Sequence, residues 1–291
     1  MFVDVGGQRI FFDTVGSGLA PDKDRMREKP VLIILHGGPG FDHSGLRPAF
    51  DAFADIAQVI YLDHRGNGRS VPSDPSTWTL AQWGDDIAAF CAALGITRPI
   101  VLGQSFGGMV AQSYATRHPG HAGALILSST AARMDFDFTL TWFRDKGGEA
   151  VHSVAERFWN VGDDAAFDAY LKICMPLYNT TQPADGQAAR ARAITRPEVF
   201  RHFSLPGREI RQMDFRPQLK RIGCPVLVLA GGMDPITPPH LSQEIFDALQ
   251  PGVGAFTSFS HCGHGAFRDD PVSVQARIRA FIDDVLRSTD E

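Results

Sequence analysis

The sequence predicts an α/β protein: a mostly parallel central sheet flanked by helices, with a helical cap inserted after the strand near 123–128. Three observations predict it. The first is a set of short, continuously apolar runs at Val31–Leu35, Gln58–Leu62, 99–103, 123–127 and 225–230, the pattern of strands buried on both faces. The second is helical spacing between these runs. Leu80, Trp83, Ile87, Phe90 and Leu94 share one helix face, and Gly95 stops the pattern. Alternation of this kind implies right-handed crossovers and a parallel sheet covered on both sides. The third is a break: residues 133–215 hold amphipathic stretches, many aromatics and no strand-like run, after which the alternation resumes at Pro225. The division read from this is a core domain of 1–132 and 216–291 and a helical cap of 133–215.

The elements follow in order. Residues 2–5 and 8–15 read as strands joined by Gly6-Gly7, a hairpin signal. Residues 16–30 are polar, with Gly, Pro and Lys, and read as a surface loop. The strand 31–35 runs into His36-Gly37-Gly38-Pro39-Gly40, and the strand 58–62 into Asp63-His64-Arg65-Gly66-Asn67-Gly68-Arg69-Ser70. A helix over 79–94 precedes the strand 99–103, which turns at Ser105 into a helix ending near Pro119. After the insertion come the strand 226–230, a helix over 239–249, the strand 255–259 and a last helix near 271–287. The chain has neither internal repeats nor low-complexity tracts.

At 291 residues and 44% hydrophobic, the chain has ample material for a large core. A net charge of −5 argues against nucleic acid or an anionic membrane as partner, because both ask for a basic patch. Cys91, Cys174, Cys224 and Cys262 are scattered without Cys-x-x-Cys spacing, so free thiols in a reducing compartment are expected and a zinc site is not. Met1-Phe2-Val3-Asp4 lacks the basic and apolar regions of a secretory signal, and no apolar run approaches the roughly 18–20 residues that span a bilayer. A cytoplasmic location is the expectation.

The chemistry centres on Gly103-Gln104-Ser105-Phe106-Gly107, with an apolar strand before it and helix-like sequence after it. A strand–turn–helix with serine at its apex forces strained backbone angles, needs small neighbours, and projects the hydroxyl from the carboxyl end of the sheet. The helix N-terminus behind it favours developing negative charge. A nucleophilic serine needs a base, and the base needs an orienting acid. Asp234 follows the strand 226–230, and His264, between Gly263 and Gly265, follows the strand 255–259. His261 is the competing base; His264 is preferred because its small neighbours let the loop bring an imidazole to the serine. The order Ser, Asp, His is that of the α/β-hydrolases. The oxyanion of a tetrahedral intermediate would be met by the backbone N–H of Phe106 and by that of Gly38, with Gly37 second, in the loop after the strand 31–35. No metal or organic cofactor is implied.

Together these residues resemble the proline iminopeptidase branch of the α/β-hydrolases over nearly the whole chain outside the cap. His36-Gly37-Gly38-Pro39-Gly40 is similar to that family's HGGPG signature, and residues 63–70 to its D-x-R-G-x-G-x-S. Asp234-x-x-Thr237-Pro238 and Gly263-His264 fall where the family has its acid and base. The resemblance implies release of an N-terminal residue, often proline, through an acyl-enzyme, from a small-molecule or short peptide substrate. Two departures stand out: Phe106 follows the serine where many relatives have Trp or Tyr, and Pro235 stands where some relatives have a further acid. The segment from Val199 to Glu209 resembles a family cap segment and makes Glu209 the candidate anchor for a substrate ammonium. The expected function is therefore a serine hydrolase of the iminopeptidase type. A carboxylesterase or lactonase on the same fold is the alternative, and a non-catalytic small-molecule receptor the reading from another class.

Overall fold

A computed structural model describes residues 1–182, 188 and 191–289 of the chain. Ten strands are numbered β1 Phe2–Val5, β2 Gln8–Val15, β3 Leu19–Asp22, β4 Arg25–Glu28, β5 Val31–Leu35, β6 Gln58–Leu62, β7 Ile100–Gln104, β8 Ala124–Ser128, β9 Val226–Gly231 and β10 Gly254–Phe259. Eight of them form one sheet in the order β1-β2-β6-β5-β7-β8-β9-β10. The pairs β1/β2 and β2/β6 are antiparallel and every later pair is parallel. The strands expected from the apolar runs fall where they were placed, to within a residue or so.

Strand alternation fixes which side chain meets which layer. Ile33 and Leu35 of β5 and Val101 of β7 join one core with Trp83, Phe90, Met109 and Val110. Leu32, Ile34, Ile100 and Leu102 point the other way, into a core with Leu46, Phe50, Phe53 and Phe281. The sheet is thus covered on both faces, and Gln104, two residues beyond Leu102, lies on the Phe50–Phe281 side. The helix α1 Leu80–Leu94 covers the first face. Thr79 caps it by accepting from Gln82 N at 3.0 Å, and Gly95 ends it at φ 66°. Trp83, Ile87 and Phe90 are fully buried, at about 1.5–3 kcal/mol for each such side chain. The helix α2 Phe106–Arg117 packs beside α1, and its residues 106–116 are all buried.

Two features differ from expectation or extend it. Residues 16–30 are not a plain loop: β3 and β4 pair antiparallel as a separate two-stranded sheet whose side chains are largely exposed. With no buried face, these strands carry no apolar alternation to read. Between β8 and β9 the described residues form the helices α3 Phe136–Asn160, α4 Asp164–Ile173 and α5 Pro197–Ser204, with a 3-10 turn at Met175–Tyr178. Part of the insertion expected at 133–215, residues 183–187, 189 and 190, lies outside the described residues. Gly148, at φ 78° and ψ −179°, interrupts α3. A third apolar cluster joins these helices, with Phe158 stacked on Tyr170 at 3.8 Å and on Phe200 at 4.1 Å. Ile236, from the loop after β9, is the core residue buried within it. The helices α6 Pro239–Ala248 and α7 Pro271–Thr289 complete the layers. Among the described residues no helix is long and apolar enough to cross a membrane.

Candidate active site

The chain turns at Ser105 between β7 and α2 with φ 54° and ψ −121°, a conformation that costs a non-glycine residue about 1–3 kcal/mol. Neighbouring contacts hold it there. Ser105 N donates to Ser128 O at 2.9 Å, and Thr130 Oγ1 donates to Ser105 O at 2.7 Å. Strand and helix meet closely enough that a Cβ on Gly103 would collide with the Gly107 carbonyl. Ser105 Oγ lies 2.9 Å from His264 Nε2, and His264 Nδ1 lies 2.8 and 3.0 Å from the two oxygens of Asp234. The carboxylate holds the hydrogen on Nδ1, which leaves the Nε2 lone pair for the serine hydroxyl. Asp234 is itself fixed: Oδ1 accepts from Ile236 N and Thr237 N, both at 2.8 Å, and Oδ2 from Thr237 Oγ1 at 2.9 Å. Asp234 is 1% exposed and His264 6%. Three loops, after β7, β9 and β10, therefore converge on one point. His261 is not brought there; its side chain is exposed and pairs with Asp270 at 3.3 Å.

The loop after β5 lies against the serine. A Cβ on Gly37 would stand 3.1 Å from Ser105 Cβ and 3.7 Å from its Oγ. Gly38 has φ 134°, and a Cβ there would meet Gly40 N at 2.9 Å, so the loop path needs glycine. The N–H groups of Gly38 and Phe106 donate to no acceptor among the described residues. The Phe106 ring is buried in edge-on contact with Trp83 at 5.4 Å and Phe203 at 5.1 Å, so only its backbone is available to the chemistry.

The motif 63–70 braces this loop. Asn67 Oδ1 accepts from Gly40 N at 2.9 Å, and Asp63 Oδ1 accepts from His43 N at 3.0 Å and from the His43 ring at 2.7 Å. Burial raises the Asp63 carboxyl, but the His43 bond, nearby ring charge and Arg69 N–H outweigh it and hold the pKa below the ordinary value. Arg65 grips Asp86 of α1 at 2.8 and 2.6 Å. His36 Nε2 accepts from His64 N at 3.1 Å, so its Nδ1 carries the hydrogen and donates to Gly37 O at 2.7 Å. Burial lowers the His36 pKa, which keeps that ring neutral.

A cavity of about 520 Å³ opens over Ser105, Gly37, Gly38 and His264. Phe158, Trp159, Tyr170 and Phe200 give it an apolar wall from the inserted helices. Its polar lining includes Gln104, Asn179, Arg47, Lys172 and Arg268. Asp42 is the one carboxylate among the described lining residues, and it is committed to Arg69 at 2.7 Å and Ser44 Oγ at 2.5 Å. Glu209 lies elsewhere, in a second cavity with Trp78, Leu80 and His202. There its Oε2 accepts from Leu80 N, the first amide of α1, at 3.0 Å. The expected ammonium-anchoring role of Glu209 is thereby corrected: this carboxylate serves a helix terminus. No cluster of three or more His, Cys, Asp or Glu side chains among the described residues is arranged to hold a metal ion.

Two parts of the site had no signal in the sequence reading. One is a strap of residues 178–181 under the histidine loop. Tyr178 O accepts from His264 N at 2.6 Å, Asn179 Nδ2 donates to His264 O at 3.0 Å, and Thr180 Oγ1 donates to His261 O at 2.8 Å. These bonds join residues more than 80 apart, beyond the reach of any local pattern. The other is Gln104, hidden in the variable position of Gly-x-Ser-x-Gly. It is 2% exposed, and neither its Oε1 nor its Nε2 has a partner.

Comparison with known proteins finds the same fold. The alpha/beta hydrolase fold family matches residues 30–160. A proline iminopeptidase of Levilactobacillus brevis is 29% identical over 273 residues, covering 86% of this chain and 87% of that protein. The structure is similar to that of a proline iminopeptidase of Mycobacterium smegmatis, with a TM-score of 0.77, 23% identity and 99% of each chain covered. It is also similar to a thermophilic esterase of Thermogutta terrifontis, with a TM-score of 0.71, 25% identity, and 98% and 97% of the two chains covered.

Proposed function

We propose that this chain, which has the α/β-hydrolase fold and resembles the proline iminopeptidases, is a serine hydrolase that cleaves an acyl bond of a small substrate through an acyl-enzyme. The observation that carries the reading is the continuous hydrogen-bonded line Ser105–His264–Asp234 opening into an apolar cavity. In this mechanism His264 Nε2 takes the hydroxyl proton as Ser105 Oγ attacks the substrate carbonyl. Asp234 holds the ring and stabilises the imidazolium. The oxyanion is met by the free N–H groups of Phe106 and Gly38. The intermediate collapses as His264 returns the proton to the leaving group, and water, activated by the same histidine, then releases the acid. The helices of 133–215 act as a cap that walls the cavity and excludes water.

Among hydrolases of this kind the likeness in sequence is to iminopeptidases, while the cavity favours the alternative, a carboxylesterase or lactonase. An aminopeptidase must neutralise a substrate ammonium. The described lining offers one carboxylate, already paired with Arg69, and three cationic side chains. A fluorophosphonate probe and a panel of p-nitrophenyl esters, lactones and aminoacyl-naphthylamides test the proposal. Labelling that requires Ser105, with turnover of esters or lactones above the naphthylamides, is expected. Preference for the naphthylamides would restore the aminopeptidase reading. Absence of both labelling and turnover would leave a non-catalytic receptor.

A further inference from the structure

Two polar groups in the Ser105 cavity have no counterpart in the mechanism. Gln104 follows Leu102 by two residues on β7, so its side chain enters the Phe50–Phe281 side of the sheet, under the histidine loop. It is buried, it lines the cavity, and both ends of its amide lack a partner. Arg268 reaches the same place from the segment just after that loop. Its Nη2 donates to Gly45 O at 3.0 Å and its guanidinium lies 4.3 Å over the Phe267 ring. A Cβ built on Gly265 would meet Arg268 Nη1 at 2.5 Å and Gln104 Nε2 at 3.3 Å, so the two donors crowd one point beside the catalytic histidine.

No carboxylate among the described residues pairs with Arg268. Its neighbour Asp269 is turned to the strap, accepting from Asn179, Thr181 and Gly263 N. Asp42, on the far side of Gly45, is held by Arg69. Burial pushes the Arg268 pKa down to about 10 against the raising charge of nearby Asp269, which still leaves it cationic at neutral pH. A part-buried guanidinium with no ion pair among the described residues and an unsatisfied buried amide, side by side in a substrate cavity, are the donor set that a carboxylate accepts.

We propose that Gln104 and Arg268 form a carboxylate-binding subsite beside Ser105, so that the preferred substrate is an acyl compound carrying a second, free carboxylate, such as the half-ester or lactone of a dicarboxylic acid. The proposal rests on Ser105 being the nucleophile. The test uses two esters of similar length, p-nitrophenyl butyrate and mono-p-nitrophenyl glutarate, together with glutarate binding to Ser105→Ala followed by calorimetry. The wild type should favour the glutarate ester by tenfold or more in kcat/KM. Arg268→Gln should reduce that preference at least tenfold, chiefly through KM for the anionic ester, and Arg268→Lys should retain part of it. Gln104→Leu should reduce it several-fold, which keeps the test open if an Arg268 variant fails to fold. Glutarate should bind Ser105→Ala and not the Ser105→Ala, Arg268→Gln double variant. Equal turnover of both esters, or a preference that survives Arg268→Gln, overturns the subsite while leaving the hydrolase reading intact. Arg268-dependent glutarate binding without turnover of either ester and without fluorophosphonate labelling supports the carboxylate site but overturns the hydrolase reading and the substrate drawn from it.

Discussion

Ser105 holds a positive φ at the apex between β7 and α2, where any non-glycine residue is strained, and the proposed chemistry accounts for a hydroxyl being kept there. Activity and stability should therefore separate at this position. Ser105→Gly should abolish turnover yet raise stability by about 1 kcal/mol, measured by urea denaturation, because glycine accepts φ 54° without a Cβ. Ser105→Ala should lose about a thousandfold or more in kcat with no such gain. An active Ser105→Ala would remove the serine from the mechanism. Gly38→Ala should lower kcat about 10²–10³-fold, the loss typical of one oxyanion donor, because a Cβ at φ 134° forces the loop to move. A variant with unchanged kcat would place the second donor elsewhere. That Ser105, His264 and Asp234 meet was legible in the sequence because the proposed reaction would dictate both their types and their order along the chain. Glu209 was not: a carboxylate in a cap segment can serve a substrate or a helix terminus, and only its three-dimensional neighbours separate the two.

At the scale of elements, apolar runs and cap residues located the strands of the main sheet and α1 to within a residue or so, because burial on both faces leaves a pattern in the chain. The β3–β4 hairpin escaped because backbone pairing and an exposed Arg25–Asp22 ion pair at 3.2 Å hold it, with no buried apolar face. The docking of α1 was equally hidden, since Leu80 N finds its acceptor on Glu209, 129 residues away. That contact has a pH signature. Burial raises the Glu209 pKa above its ordinary value, against the lowering effect of the Leu80 N–H bond. An acid with a raised folded pKa adds stability below its unfolded pKa, and that contribution is lost as pH rises through the folded value. Glu209→Gln, which keeps an oxygen for Leu80 N–H, should thus match or exceed wild-type stability at pH 7 and flatten the pH dependence across the acidic range above about 4.5. Glu209→Ala, which orphans the amide, should lose about 1 kcal/mol. Thermal unfolding between pH 4.5 and 7 decides it; a Gln variant less stable than the Ala variant at pH 7 would refute the account.

Across the whole molecule, the inserted segment does more than wall the cavity, because it also holds His264, the proposed base. His264 hangs on a loop after β10, on the edge strand of the main sheet, with Gly263 and Gly265 on either side. Such a loop has little stiffness of its own. Its position comes from residues 178–181, whose Tyr178 O receives His264 N and whose Asn179 Nδ2 reaches His264 O at 3.0 Å and Asp269 Oδ2 at 3.0 Å. Asn179 joins the two ends of the loop through one amide, and that amide is anchored by the same turn whose Tyr178 hydroxyl bonds Tyr170 at 2.8 Å within the aromatic cluster. Displacement of the cap should therefore reach the nucleophile through the base rather than through the serine, which is fixed independently by Ser128 and Thr130. Asn179→Ala removes the bonds of Nδ2 while leaving the Tyr178 O bond, Ser105, Asp234 and the oxyanion loop in place. At about 1–3 kcal/mol for a lost buried partner, kcat should fall about tenfold, with a much smaller change in KM. Asn179→Asp would restore the size but set a carboxylate against the His264 and Gly265 carbonyls, at 3.0 and 3.5 Å from Asn179 Nδ2, and against Asp269, and should be worse than Ala. Steady-state kinetics on a single ester decides the point: a loss confined to KM, or an Asp variant equal to the wild type, would show that the strap shapes the cavity without holding His264.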